Sequence, residues 1–271
     1  MGKAVPELER LLLTWVKEAG EIALNLFHRS GPLRFKHGQE AITEADREIE
    51  KLLSARIQAR FPGDAVAGEE FGHRGPADAG AAPAGRVWHI DPIDGTLNFA
   101  LGLPAFCTSV ALVEEGRILA AVVYNPLLDE GFTASAGQGA RLNGAPIHVS
   151  ERAPLGAAVV SAQLQKRGRF IQNAALLQEV LLGTMKMRRL GTIALEMAYL
   201  ADGRFDALVA GKGEPQQLYD VAAGILLVRE AGGRVTDHRG HEYEALATDL
   251  VATNGKVHDE LIALIRRCEQ E

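Results

Sequence analysis

The stretch VWHIDPIDGTLNFA, Val87 to Ala100, ends an apolar run in two aspartates, Asp91 and Asp94, with Gly95-Thr96 directly behind them. A second acidic pair, Glu69-Glu70, closes the short run AVAGEE, and Asp220 opens the apolar segment YDVAAGILLVREAGG. Singly, each has an ordinary explanation. An Asp ahead of an apolar helix caps it, and a Glu pair in a loop is solvated. Together they raise a different possibility. If these acids converge, like charges ~4 Å apart repel by about 4 kcal/mol per pair at an effective dielectric of ~20, so the nest must bind protons or cations. Carboxylate oxygens with few histidines suit a hard ion, Mg²⁺ above all. His238 and His241 have no cysteine near them and give only a weak zinc signal. Paired Mg²⁺ ions in one site are a common clamp for phosphoryl transfer to water.

The DGT that follows supplies the other half. Gly95 lets backbone N–H groups approach an anion closely, and a helical turn starting at Thr96 would offer free N–H groups to phosphate oxygens. Acids would hold metal, metal would hold phosphate, and backbone would hold the far side of the phosphate. Other phosphatase chemistries lack their residues. There is no D-x-D for an aspartyl-phosphate, no C-x5-R loop at either cysteine, no Walker loop and no G-x-S-x-G elbow. Direct attack by water activated at the cations remains.

The elements that must position these residues follow from spacing. Leu11, Leu12, Val16, Ala19, Ile22, Ala23 and Leu26 predict a long helix from Pro6 to His28. Thr43 can cap a second helix, EADREIEKLLSARIQARF, which Pro62-Gly63 stops. AVAGEEFG reads as a short strand ending in acids, and His73 to Gly85 as a small-residue, mobile loop. A strand at 87–90 leads into an antiparallel meander near 107–113, 117–124 and 131–135, with turns at Glu115-Gly116 and Asn143-Gly144. From Val159 strands and helices alternate: VVSAQ, a helix near 170–182, MKMRR, a helix from Thr192 to Ala201, DALVA, a helix near 217–231, RVTD, LVATN, and a last helix from Lys256. This predicts an α+β lobe over 1–152, carrying the acidic and phosphate motifs, and an α/β lobe over 153–271, carrying Asp220.

Composition bounds the partners. The chain has 271 residues, 47% hydrophobic and 24% charged, as expected of a globular protein with a sizeable core. The formal net charge is −6 and no basic stripe appears, which argues against nucleic acid and anionic membranes as partners. Lys186-Met187-Arg188-Arg189, flanked by apolar residues, reads as a strand edge. Cys107 and Cys268 stand far apart in sequence and suggest a reducing compartment. The amphipathic N-terminus has no signal-peptide pattern, and no apolar run approaches a membrane span, so a cytoplasmic protein is expected.

These residues resemble the inositol monophosphatase family of Mg²⁺-dependent, lithium-sensitive phosphatases. The carrying motifs are AITEADREIE (41–50), GEE (68–70), DPIDGTLNF (91–99), RLGTIALEMAYLADGRFDA (189–207) and YDVAAGILLVREAGG (219–233), in family order and spacing. The resemblance implies a layered αβαβα sandwich, usually a homodimer. It implies that Glu69, Asp91 and the Ile93 carbonyl hold a first metal and that Asp91, Asp94 and Asp220 hold a second. Glu69, with waters, would take a third, giving two or three Mg²⁺. Gly95 and Thr96 would bind phosphate, and Gly191-Thr192-Ile193 would border the substrate's hydroxyl groups.

The chain departs from the family pattern at three places. The first acid of the family's D-x-V-T-x-x-D is Glu40 here, in EAITEAD. In the family that acid orients the attacking water with the equivalent of Thr96, so Glu40 and Thr96 are the expected catalytic pair. The extra methylene of Glu40 would be absorbed by the loop KHGQE, where Gly38 gives backbone freedom. Tyr219 replaces a Trp before the last metal Asp, and the family's acidic sugar contact aligns with Gly213 or Glu214. The substrate expected is a small phosphorylated polyol, foremost myo-inositol 1-phosphate. Histidinol phosphate, fructose 1,6-bisphosphate or a nucleotide 3′-phosphate are alternatives on the same site. A non-catalytic binding protein retaining the fold is the rival from another class.

Overall fold

Apolar residues at helical spacing bury one face of α1 (Glu7–Leu26), with Leu12, Trp15, Val16, Ala19 and Ala23 inside. A computed structural model describes residues 6–27, 34–36, 40–75, 85–163, 166–167, 170–171, 174–210, 217–243 and 249–270, with backbone alone at 34–36, 40–41, 166–167, 170–171 and 269–270. After α1, β1 (Arg34–Lys36) and β2 (Glu40–Ile42) form a small antiparallel pair. α2 (Glu44–Arg60) then starts on a capping box in which Asp46 accepts from the Thr43 backbone N–H and from its hydroxyl.

β3 (Ala65–Gly68) turns through 69–71 into β4 (Gly72–Arg74). His73 and Arg74, expected in a loop, therefore belong to a strand, because the turn folds them antiparallel onto β3. The rest of that expected loop, 76–84, lies outside the described residues. β5 (Arg86–Asp94) runs past its apolar half and through both aspartates. Its register against the next strand shifts between Asp91 and Asp94, where the Pro92 carbonyl accepts from the Thr108 hydroxyl. α3 (Thr96–Leu101) begins at Thr96 as expected.

β6 (Cys107–Glu114), β7 (Arg117–Asn125), β8 (Glu130–Ser135), β9 (Ala140–Leu142) and β10 (Ala145–Ile147) complete the meander. Its turns at Glu115-Gly116 and Asn143-Gly144 place both residues at positive φ, the geometry two-residue hairpins require. The eight strands lie in the order β10-β9-β8-β7-β6-β5-β3-β4. β3 and β5 pair parallel, so the sheet is mixed rather than a pure meander.

The later elements are β11 (Val159–Gln163), β12 (Lys166–Arg167), β13 (Phe170–Ile171), α4 (Ala174–Gly183), β14 (Lys186–Arg188), α5 (Ile193–Ala201), β15 (Ala207–Ala210), α6 (Leu218–Glu230), β16 (Arg234–Thr236), β17 (Leu250–Thr253) and α7 (His258–Gln270). The helix expected near 170–182 starts later, because Phe170-Ile171 pair with β12. A five-stranded sheet has the order β14-β11-β15-β17-β16, with the basic segment on its edge strand as expected. β11 is parallel to β14 and β15, whereas β17 is antiparallel to both its neighbours.

Side chains sort these elements into layers. α1 and α2 bury Val16, Ile49 and Leu53 against Trp88, Ile90 and Val122 on one face of the larger sheet. α5 and α6 fill the middle, touching Ala111, Val123 and Phe132 of that sheet and Leu208 and Val235 of the smaller one. α4 and α7 close the far face over Val160, Val209 and Val251. The result is the αβαβα sandwich. Among the described residues no helix is long and apolar enough to cross a membrane. Neither Cys107 nor Cys268 is in a disulfide.

His258 joins the smaller sheet to α7. It is 1% exposed and sits between the hydroxyls of Thr236 (3.2 Å) and Thr253 (2.9 Å). Burial, with Arg234 nearby, lowers its pKa to about 4 from 6.5. The unfolded chain therefore takes up a proton that the folded chain refuses, so stability present above pH 6.5 is lost as the pH falls towards 4. Urea unfolding at pH 7 and pH 5 should show a smaller loss for His258→Gln than for the wild type. Equal losses would rule His258 out as a source of acid sensitivity.

Candidate active site

The continuation of β5 through its acids puts two carboxylates at one end of the larger sheet. Asp91 is 2% exposed, and its Oδ1 is buried with no hydrogen-bond partner. Burial raises its carboxyl well above the usual range, and Glu69, Asp94, Asp220 and Asp46 push it further the same way. The acids separated in sequence thus face one another in space. Asp94 is partly accessible, but protein atoms around it raise its carboxyl to about 7. Its Oδ2 accepts from the Thr192 hydroxyl (2.7 Å) and the Ala194 backbone N–H (2.6 Å) at the start of α5. Asp220 lies in the first turn of α6, where the helix dipole favours an acid.

Glu69 rides on the β3–β4 turn, and that turn is held by another buried acid. Glu50 of α2, 1% exposed, accepts from the backbone N–H groups of Glu70 (2.7 Å) and Phe71 (3.0 Å). A Cβ on Gly68 would lie 2.0 Å from Glu50 Oε1, so glycine is what admits the carboxylate under the turn. The backbone N–H of Glu69 is bonded to Ile90 O at 3.2 Å, tying the turn to β5.

Gly95 has φ +93, and a Cβ there would meet the Ala105 carbonyl at 2.9 Å. Glycine is therefore required on both conformational and steric grounds. The first i→i−4 bond of α3 runs from Phe99 N to Gly95 O (3.0 Å), so the N–H groups of Thr96, Leu97 and Asn98 precede the helical ladder. The Thr96 hydroxyl lies 2.9 Å from Ile93 O and 3.4 Å from Asp46 Oδ1. Having one proton, it can satisfy only one of them at a time and keeps lone pairs open.

Asp46 is the site residue that sequence reasoning missed. It is fully buried, and burial raises its carboxyl to about 7 against the lowering effect of Thr43. The signal for it is the last acid of D-x-V-T-x-x-D in EAITEAD, a motif in which the sequence reading gives the water-orienting role to the first acid, Glu40. Glu40, the expected partner of Thr96, contributes only backbone to the described structure, in β2, which packs beside α3. Gly213 and Glu214 lie outside the described residues. Gly191, at φ +78, and Thr192 lie in the loop between β14 and α5, and Ile193 opens α5. The Thr192 Cβ is 3.3 Å from where a Gly95 side chain would begin, so this loop borders the phosphate motif.

The donor set fits a hard cation. Asp91 Oδ1 is a buried carboxylate oxygen without a hydrogen-bond partner, and Glu69, Asp94, Asp220 and Asp46 lie near enough to raise its carboxyl further. Among the described residues no three His, Cys, Asp or Glu side chains are drawn together as a ready-made cage.

The inositol monophosphatase family profile matches residues 6–271. The chain belongs to this family. Over 259 residues it is 36% identical to a protein of Thermotoga maritima named fructose-1,6-bisphosphatase/inositol-1-monophosphatase, covering 94% of each chain. It is 35% identical to the Nus factor SuhB of Pseudomonas aeruginosa, again covering 94% of each. Among solved structures, it is similar to the suhB extragenic suppressor protein of Bartonella henselae, with a TM-score of 0.87, 30% identity, and 97% and 99% of the two chains covered. An inositol monophosphatase of Thermotoga maritima gives 0.84 at 33% identity, covering 95% and 96%. By family the chain is a phosphatase, a hydrolase of phosphomonoesters.

The raised carboxyl of Asp91 carries a stability prediction. A folded carboxyl held above its usual value keeps a proton that the unfolded chain releases, so its contribution to stability falls as the pH rises. At pH 8 the metal-free Asp91→Asn protein should melt at a higher temperature than the metal-free wild type. Millimolar Mg²⁺ should raise Tm in the wild type and leave the variant unmoved. A wild type whose Tm ignores Mg²⁺, or a variant that responds as well, would deny Asp91 its place in a cation site.

Proposed function

We propose that the chain hydrolyses a small phosphorylated polyol, foremost myo-inositol 1-phosphate, with Mg²⁺ as cofactor. The observation that carries this reading is the unpartnered Oδ1 of Asp91 inside a group of acids, beside a glycine-led helix start. Glu69, Asp91, the Ile93 carbonyl, Asp94 and Asp220 would hold two or three Mg²⁺. Those cations would neutralise the nest, bind the phosphate oxygens and make a water a better nucleophile.

The chain's own groups do the rest. Gly95 brings its backbone close to the phosphate, and the N–H groups before the α3 ladder donate to its oxygens. The Thr96 hydroxyl and Asp46 orient the attacking water, because they face each other across 3.4 Å at the edge of the acidic group. Asp46 Oδ2 is fixed by Thr43, which leaves Oδ1 to accept the water's proton directly or through Thr96. The α5 start holds Asp94 in place through Thr192 and Ala194. The Gly191-Thr192-Ile193 segment lies towards the leaving alcohol, with Glu214 as the further sugar contact.

The Thermotoga relative's name joins a fructose bisphosphatase to an inositol monophosphatase, so a panel of esters is the informative assay. With Mg²⁺, myo-inositol 1-phosphate should give the highest kcat/KM among itself, fructose 1,6-bisphosphate, histidinol phosphate and a nucleotide 3′-phosphate. Millimolar Li⁺ should inhibit. No Mg²⁺-dependent hydrolysis of any of them would favour a binding protein that has kept only the fold.

Substitutions separate the two candidate water-orienting acids. Asp46→Asn and Thr96→Val should each lower kcat by about 10²-fold with KM little changed. Glu40→Gln tests whether Glu40 shares the work. Wild-type turnover in Glu40→Gln would leave Asp46 alone beside Thr96, and wild-type turnover in Asp46→Asn would return the role to Glu40.

A further inference from the structure

Glu196 is an acid that the proposed reaction does not use. It is fully buried in the first turn of α5. Four donors saturate its carboxylate. Oε1 accepts from the backbone N–H groups of Leu190 and Gly191, the latter at 3.3 Å. Oε2 accepts from the Ser161 hydroxyl (2.8 Å) and the Gln163 side-chain amide, both on β11. The acid therefore joins the smaller sheet to the loop that borders the phosphate motif.

The same loop is gripped from its other side. The Asn98 side-chain amide, on α3, donates to Leu190 O (2.7 Å) and to Ala105 O (2.7 Å). The backbone N–H of Leu190 is thus held by Glu196 and its C=O by Asn98. Gly191 sits beneath Asn98, in a left-handed conformation that glycine tolerates. Thr192 then bonds Asp94. Each residue from Leu190 to Thr192 has at least one fixed polar contact, and a buried carboxylate with four donors leaves little room for adjustment.

We propose that Glu196 and Asn98 are positioning residues that clamp the Leu190–Thr192 loop and thereby set selection for hydroxyl-bearing leaving groups. This deepens the phosphatase reading and rests on it. A loop held at Leu190 and Gly191 presents its backbone to the leaving alcohol in one arrangement. A polyol whose hydroxyls match that arrangement is retained, and a leaving group without hydroxyls is indifferent to it. Small displacements of such contacts weaken binding of the matching substrate most.

Glu196→Gln is the sharpest variant. It keeps the volume but leaves one acceptor oxygen among four donors and sets an NH₂ against an N–H or a hydroxyl. Asn98→Ala releases the opposite side of the loop and serves where Glu196→Gln fails to fold. Steady-state kinetics with Mg²⁺ should be run on myo-inositol 1-phosphate and on p-nitrophenyl phosphate, whose leaving group has no aliphatic hydroxyls. The expected result is a rise in KM for the inositol ester of about ten-fold or more in either variant, with its kcat changed less. The ratio of kcat/KM between the two esters should shift against inositol by a similar factor. Equal losses on both esters, or no change on either, would overturn the clamp while leaving the phosphatase reading intact. A wild type inactive on both esters would overturn the phosphatase reading itself, and the clamp's role in selection with it.

Discussion

Mutual repulsion among buried carboxylates is the constraint on which this structure turns. Asp91 is enclosed, carries an oxygen with no hydrogen-bond partner, and feels Glu69, Asp94, Asp220 and Asp46. Two ionised carboxylates ~4 Å apart would repel by about 4 kcal/mol at an effective dielectric of ~20, a large fraction of the net stability of a domain. A fold keeps such a group only if protons or bound cations offset the cost. Two positive charges per Mg²⁺, and oxygen ligands suited to it, make a divalent cation the natural counterpart.

Much of the scaffold can be understood as holding this group apart and in place. β5 carries Asp91 and Asp94 past the point where its apolar half ends, with a register shift around Pro92. α2 supplies two supports from beneath. Asp46 reaches towards Thr96, and Glu50 holds the turn that bears Glu69. α5 reaches in from the middle layer to hold Asp94, while Glu196 secures the loop in front of it. Three of these supports are themselves buried acids, each satisfied by backbone N–H groups or hydroxyls. The acidic centre is thus surrounded by acids of which Glu50 and Glu196 have both carboxylate oxygens hydrogen-bonded, whereas Asp46 has Oδ2 fixed by Thr43 and Oδ1 turned to Thr96.

The parts legible in the sequence are those where chemistry and local structure share one short segment. DPIDGT shows both aspartates, the glycine and the helix start within Asp91–Thr96, the apolar periodicity of α1 shows its buried face, and the layered sandwich follows from the family resemblance. The hidden parts are those where one side chain has two uses or where contacts cross the chain. Asp46 ends the motif D-x-V-T-x-x-D as it stands in EAITEAD, but its place beside Thr96 depends on a contact between residues fifty apart in the chain. Glu196 looks like one polar residue in an apolar helix, and its four donors come from segments far away in sequence. β4 and β13 are too short for any periodicity to appear, and the parallel pairing of β3 with β5 depends on tertiary contacts alone.

The central proposal is a divalent-cation site among the acids around Asp91. A crystal of the protein grown with Mn²⁺ in place of Mg²⁺ tests it directly, because Mn²⁺ takes the same oxygen ligands and is visible by anomalous scattering. Anomalous peaks are expected about 2.0–2.6 Å from Asp91 Oδ1, shared with Glu69 on one side and with Asp94 and Asp220 on the other. Crystals containing Mn²⁺ that show no peak beside Asp91 would contradict it.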